Sequence, residues 1–210
     1  MSSSSAWPAA EGPGSVAGAP HLLDGFTTTF TSRYVNTAGL RQHVVTGGQG
    51  PPLLLAHGWP QTWYAWRLVM PALARDFVII APDQRGCGPS GRPTDGYDTG
   101  TLAADPAALH ASSAIYRALD ATIAQNQQPK TRRLALPVLG IGGAKSLGDQ
   151  VAATMKLAAD DVQTLVVPGC GHHPPEEAPE ETLAALTSFL APHREEHAAA
   201  HHPGPQAAPL

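Results

Sequence analysis

An unbroken apolar run at positions 53–56, Leu-Leu-Leu-Ala, stops abruptly at His57-Gly58-Trp59-Pro60. A run without polar alternation has no wet face, so it predicts a strand covered on both sides, as in a parallel sheet. A parallel neighbour needs a crossover connection, which places the chain in the α/β class. Residues 62–74 can supply that crossover, because Trp63, Trp66, Met70 and Leu73 recur at helical spacing. Residues 77–81, Phe-Val-Ile-Ile-Ala, then read as the second buried strand of one βαβ unit.

Upstream, residues 34–37 and 39–45 read as two short strands joined by a turn at Ala38-Gly39, an N-terminal β-hairpin. Residues 47–50 supply a second turn. After residue 81, the stretch 82–93 is so dense in Gly and Pro that it must turn several times before a helix over 101–109. A second helix is expected over 112–126. Strands at 136–142 and 162–167, with helices at 149–159 and 180–190, complete the pattern; the last helix spaces Leu183, Leu186 and Leu190 along one face.

The 210 residues suffice for one domain. Residues 1–25 and 191–210 are rich in Ser, Ala, Gly, Pro or His and are expected to be disordered tails around a folded body at 26–190. Net charge is −4 and the thirteen Lys and Arg are scattered, which offers no footprint for nucleic acid or an anionic membrane. No apolar leader or membrane-length segment is evident, so a soluble, cytoplasmic protein is expected. Cys87 and Cys170, far apart in Gly-rich loops, are expected to be reduced. No P-loop, dinucleotide glycine fingerprint or zinc motif occurs, so neither cofactor nor metal is expected.

His57-Gly58-Trp59-Pro60, the Asp83-Gln84-Arg85-Gly86-Cys87-Gly88-Pro89-Ser90 loop and Gly169-Cys170-Gly171-His172 occur in that order. Together they make the chain resemble an α/β-hydrolase of the epoxide hydrolase and haloalkane dehalogenase group, in two blocks within about residues 30–190. The resemblance implies a mostly parallel sheet flanked by helices. It also implies a nucleophile elbow, Gly-x-(Asp or Ser)-x-Gly, followed by a helical cap. Here the chain passes almost directly from the 101–109 helix to one resembling the last cap helix, so the fold is expected to be truncated in the middle. Residues of about 110–130 are the cap remnant.

The resemblance implies roles for particular residues. His172 matches the base that activates water, a task suited to an imidazole that titrates near neutrality; the bland alternative is a solvated loop histidine. Trp59, with His57 and Gly58, matches the turn whose backbone N–H faces the developing oxyanion or leaving group. Tyr116 matches a cap tyrosine that donates a hydrogen bond to the epoxide oxygen, or else packs at a core edge. The orienting acid is poorly marked: Ser146 stands where an aspartate usually falls, and Asp149 is the nearest substitute, unless it serves only the helix dipole. Ala144-Lys145-Ser146-Leu147-Gly148 also formally matches a small-x-Ser-x-Gly elbow, which makes Ser146 a second-choice nucleophile. Asp83 and Arg85 read as a loop-holding pair.

These residues imply hydrolysis of a small, neutral, apolar epoxide through an ester intermediate and histidine-activated water, impaired because the nucleophile is missing. Two alternatives stand beside it: a non-catalytic remnant that binds an apolar ligand or a partner, and a serine esterase using Ser146. Loss of central strands would leave an exposed sheet edge and a route to homo-oligomers.

Overall fold

The computed structural model describes residues 10–12, 14–37, 40–58, 60–93 and 133–194. The turn at Ala38-Gly39, the expected helices at 101–109 and 112–126, the cap remnant and the point of truncation lie outside the described residues, as do most of both tails.

β1 (Phe30–Thr37) and β2 (Leu40–Gly48) form the expected hairpin, antiparallel from Phe30 opposite Gly47 to Thr37 opposite Leu40. β2 also runs antiparallel to β4 (Val78–Pro82), which pairs in parallel with β3 (Pro52–Leu54). The first sheet therefore has the order β1-β2-β4-β3. It is mixed, because the hairpin contributes its antiparallel pairs to an otherwise parallel βαβ unit. β5 (Val138–Gly143) and β6 (Val162–Val167) pair in parallel as a second, two-stranded sheet.

Three local expectations change. The apolar run at 53–56 gives a strand of only three residues, with Leu54 51% exposed. Among the described residues β3 is the last strand of its sheet, so one of its edges has no strand neighbour there. The continuous helix over 62–74 becomes a 3₁₀ turn at Trp63–Trp66 and a single α turn, α2 (Met70–Leu73), which follows the short α1 (Phe26–Thr29) in chain order. Pro71 has no N–H for the i−4 carbonyl, and its ring disfavours helix in the residues before it. Residues 14–25, assigned by composition to a tail, pack on the body: Val16 joins the core, Val16 N–H donates to Ser32 Oγ at 2.8 Å, and Trp63 Nε1 donates to the Gly14 carbonyl at 2.8 Å.

The second block keeps its expected helices, α3 (Asp149–Ala158) and α5 (Pro179–Leu190), and adds between them the unforeseen short α4 (Pro174–Glu177). The main core gathers Phe26, Phe30, Val45, Trp63, Met70 and Ile79, and the α5 residues Leu183, Leu186 and Leu190 pack against it. That helix supplies apolar contacts between the second block and the first. Residues 191–193 continue it as a 3₁₀ turn, and Arg194 pairs with Asp76 at 3.2 Å. No helix among the described residues is long and apolar enough to cross a membrane.

Beneath the loop after β4, Asp83 is fully buried. Its Oδ1 accepts the Trp63 N–H at 2.7 Å, and its Oδ2 lies 2.7 Å from His43 Nδ1. Asp83→Ala strands two buried donors, so it should cost about 3 kcal/mol, measured by denaturant unfolding; a loss below about 1 kcal/mol would show that the network is dispensable.

Candidate active site

The parallel strands deliver their loops to one end of each sheet, where a functional site in an open α/β sheet is expected. After β6, Gly169 takes a left-handed conformation (φ 72°), which reverses the chain and brings Cys170-Gly171-His172 back over the end of β5. Gly143 closes β5 at that point. A Cβ there would overlap the Gly171 and Cys170 carbonyl oxygens, so the two loops can touch only because residue 143 has no side chain. Backbone bonds lace them together: Ala144 N–H donates to Val167 O at 3.0 Å, and Lys145 N–H to Cys170 O at 2.9 Å.

This lacing brings together two of the residues singled out in the sequence. Ser146 Oγ lies 3.1 Å from His172 Nδ1, beside a cavity of about 210 Å³ whose walls include Ile141, Leu147, Val151 and Pro174. With the proton on Nδ1, the ring donates to Ser146 and leaves the Nε2 lone pair free for a proton. Asp149 is not brought to the histidine: it opens α3 in an exposed position, and no hydrogen bond joins it to His172 among the described residues. Among the described residues, the side chain within hydrogen-bond distance of His172 Nδ1 is that of Ser146.

In the turn after β3 the described residues His57 and Gly58 form part of a hydrogen-bonded network, and the Trp59 N–H on which the expected role rests lies outside the described residues. His57 is buried, with Nδ1 2.9 Å from Gly58 O and Nε2 accepting the Gln84 N–H at 3.1 Å. Gln84 Nε2 donates in return to His57 O at 2.5 Å. Both imidazole nitrogens are therefore engaged, Nδ1 within its own turn and Nε2 with the loop after β4, and the side chain faces inward. Burial lowers its pKa, opposed by the bond to Gly58 and by the charge of Asp83. Gly58 is exposed and its carbonyl also accepts Gln61 N–H at 2.9 Å. Trp59 and Tyr116 lie outside the described residues.

Neither cysteine is disulfide-bonded, and both are buried. Burial, with the nearby Asp83 charge, pushes the Cys87 thiol up to about 11, which removes it as a nucleophile at neutral pH.

Two carboxylates had no assignment in the sequence. Glu177 Oε2 accepts the Gly171 N–H at 2.6 Å and Oε1 the His173 N–H at 2.9 Å, so one carboxylate grips the backbone on either side of His172. The His173 amide, then the Gly171 amide, hold its carboxyl below the ordinary glutamate value. Its neighbour Glu176 pairs with Arg67 Nη1 at 2.5 Å. The available signal was Pro174-Pro175 directly after His173: a proline-opened turn brings the acidic residues that follow it back toward the preceding loop.

Residues 51–113 match the model of the alpha/beta hydrolase fold family. Over 79 residues the chain is 52% identical to the soluble epoxide hydrolase of Corynebacterium sp. (strain C12), covering 38% of this chain and 28% of that protein. It is 46% identical over 80 residues to epoxide hydrolase A of Mycobacterium tuberculosis, covering 36% and 25%. A fluoroacetate dehalogenase of Burkholderia sp. is 39% identical over 69 residues, covering 33% and 23%. The chain thus spans about a quarter of the length of these relatives. Among solved structures, wild-type Cfl2 from Burkholderia cenocepacia superposes with a TM-score of 0.68 at 23% identity, over 77% of this chain and 96% of that one. The epoxide hydrolase CorEH without ligand does so at 0.64 and 23%, over 78% and 99%.

Two outcomes follow for the site. Gly143→Val should separate the laced loops and abolish the Ser146–His172 contact, seen as loss of the His172 ring resonance from its wild-type position. Because His57 is held neutral by burial, its contribution to stability is complete above its ordinary pKa of 6.5 and is lost as pH falls through the lowered folded value. Unfolding free energy should therefore decline on acidification below about pH 6.5, and His57→Gln should flatten that decline.

Proposed function

The chain has the α/β-hydrolase fold and shares its first block with epoxide hydrolases, and from that premise we propose that it is an epoxide-hydrolase-like hydrolase in which His172 activates water. The observation that carries this reading is the 3.1 Å contact between Ser146 Oγ and His172 Nδ1. In a hydrolytic triad the orienting group holds Nδ1, while Nε2 exchanges the proton with the reacting oxygen. Ser146 thus stands in for the orienting acid, and Nε2 remains available as the general base.

The reading places a small, neutral, apolar substrate at the loops after β3 and β6, with no metal or cofactor, in the cytoplasm. The family's carbon-attacking aspartate has no counterpart in contact with His172 among the described residues. The expected chemistry is therefore slow: His172 Nε2 takes a proton from water as the water oxygen attacks an epoxide carbon, and the C–O bond breaks to leave an alkoxide that is then protonated. A backbone N–H in the Gly58-Trp59 turn would stabilise that developing charge. A serine esterase is less well supported, because Ser146 meets the nitrogen that usually faces the orienting acid.

A second reading has its own observation. The free side of β3 borders an apolar groove of about 380 Å³, lined by residues 53–56 with Trp66, Leu139, Leu186 and Phe189. It could serve a non-catalytic remnant as the seat of an apolar ligand or of a second copy of the chain.

Turnover of an aryl epoxide and a chromogenic ester separates the readings when wild type, His172→Ala, Ser146→Ala and Ser146→Asp are compared. The proposal expects slow epoxide turnover that falls about 100-fold or more in His172→Ala and rises about tenfold in Ser146→Asp, because a carboxylate orients the ring and supports its charge better than a hydroxyl. Ester turnover abolished in both serine variants would favour the esterase. No turnover in any variant would leave only the binding reading.

A further inference from the structure

β3 and β6, whose loops carry the two halves of the candidate site, belong to separate sheets among the described residues. Among the described residues no backbone ladder sets their spacing, so the side-chain contacts between the blocks contribute to it. The apolar face of α5 joins the blocks but has no directional bonds near the loops. Arg194 with Asp76 joins them through the segment after α5 and the turn before β4. The polar contacts beside the candidate site come from Glu176 and Glu177, adjacent residues on α4.

Each carboxylate engages a different loop. Glu177 accepts the amides of Gly171 and His173, on either side of the base. Glu176 accepts from Arg67 Nη1 at 2.5 Å and from Gln61 Nε2 at 3.5 Å. Gln61 is bonded to the turn after β3 through its own N–H to Gly58 O. Arg67 is itself held in place, donating to Tyr64 O at 3.0 Å with its guanidinium stacked 4.0 Å from the Tyr64 ring centre. The Arg67 and Glu176 side chains are only 16% and 31% exposed, so their pairing is less screened than a surface pair.

We propose that Glu176 and Glu177 together form a positioning bracket, in which Glu177 fixes the His172 loop and Glu176 fixes that loop to Arg67 and Gln61 beside the His57-Gly58 turn. Neither residue touches substrate; both act through His172. The bracket rests on the reading of His172 as the base, but its geometry can be tested without turnover. Because the carboxylates are neighbours on one short helix, a displacement of either loop is transmitted to the other through the backbone they share and four hydrogen bonds. A shift of about 1 Å in such a loop can cost about 100-fold in rate.

The test uses the full chain, Glu177→Gln, Glu176→Gln and the exchanged pair Arg67→Glu with Glu176→Arg, each first shown to retain the wild-type amide spectrum away from the site. In Glu177→Gln the Gly171 and His173 amide protons should move upfield, as a charged acceptor is replaced by a neutral one, and the His172 ring signals should move with them. In Glu176→Gln the same His172 signals should shift although that residue does not touch the loop's amides, and the exchanged pair should restore them. If turnover is present, kcat should fall about tenfold or more in both single variants with KM within about twofold, as expected for misplacement of a base, and the exchange should recover it. Unmoved His172 signals in Glu176→Gln would overturn the bracket, as would an exchanged pair that fails to restore them. An inactive wild type whose His172 signals respond as described would reject the hydrolase reading while sustaining the bracket.

Discussion

The buried carboxylate of Asp83 is the interaction on which the first block depends. It joins three elements that are distant in sequence: β2 through His43, the 3₁₀ turn after β3 through Trp63, and the loop after β4 through its own backbone. Ser90 tightens the same knot, donating to Asp83 O at 2.7 Å and accepting from His43 N–H at 2.9 Å. Gly88 is required beside it, because a Cβ at that position would strike the carboxylate. A buried acceptor with two good donors is highly directional, whereas the apolar core around it is not. The core keeps the elements together, and Asp83 decides how the loops at the strand ends are aimed.

His57 extends that network toward the surface. By accepting the Gln84 N–H and lying against Gly58 O, its imidazole ties the turn after β3 to the loop that contains Asp83. The exposed part of the turn thereby inherits the rigidity of a fully buried cluster. A site whose backbone donors must be in place before charge develops benefits from such support, since reorganisation during the reaction is costly. Among the described residues the second block shows no equivalent buried charged anchor. Its core cluster is small, centred on Val167, Cys170 and Ala178, and α3 buries no residue fully. Its loop is instead held from outside, by the lacing over Gly143 and by Glu177.

Elements governed by local pattern were legible in the sequence, and those governed by long-range contact were not. The strands β4, β5 and β6 and the helices α3 and α5 follow directly from apolar runs and helical spacing. The 62–74 helix failed because periodicity took no account of Pro71, which removes a donor in the middle of the pattern. The 53–56 run suggested two covered faces, yet coverage depends on which strands flank it, and that information is not local. Composition assigned residues 14–25 to a tail, but the indole N–H of Trp63, 49 positions away from Gly14, gives this polar segment a partner. His172 was found because two glycines and a preceding strand mark its loop. Its contact with Ser146 is not legible from spacing, because a 26-residue separation is closed by sheet pairing.

The identity of the orienting group bears most directly on what the site can do. A carboxylate at Nδ1 fixes the tautomer and also stabilises the imidazolium that forms when Nε2 takes a proton. A hydroxyl does the first through a hydrogen bond but contributes little to the second, because it carries no charge. In the proposed reading, Ser146 would permit His172 to act as a base while limiting how strongly it could act. Glu177, though charged, spends both oxygens on backbone amides and is committed to holding the loop. In the proposed reading the site would combine a base held by its loop with a weakly supported charge, which suits slow proton abstraction from water rather than rapid turnover.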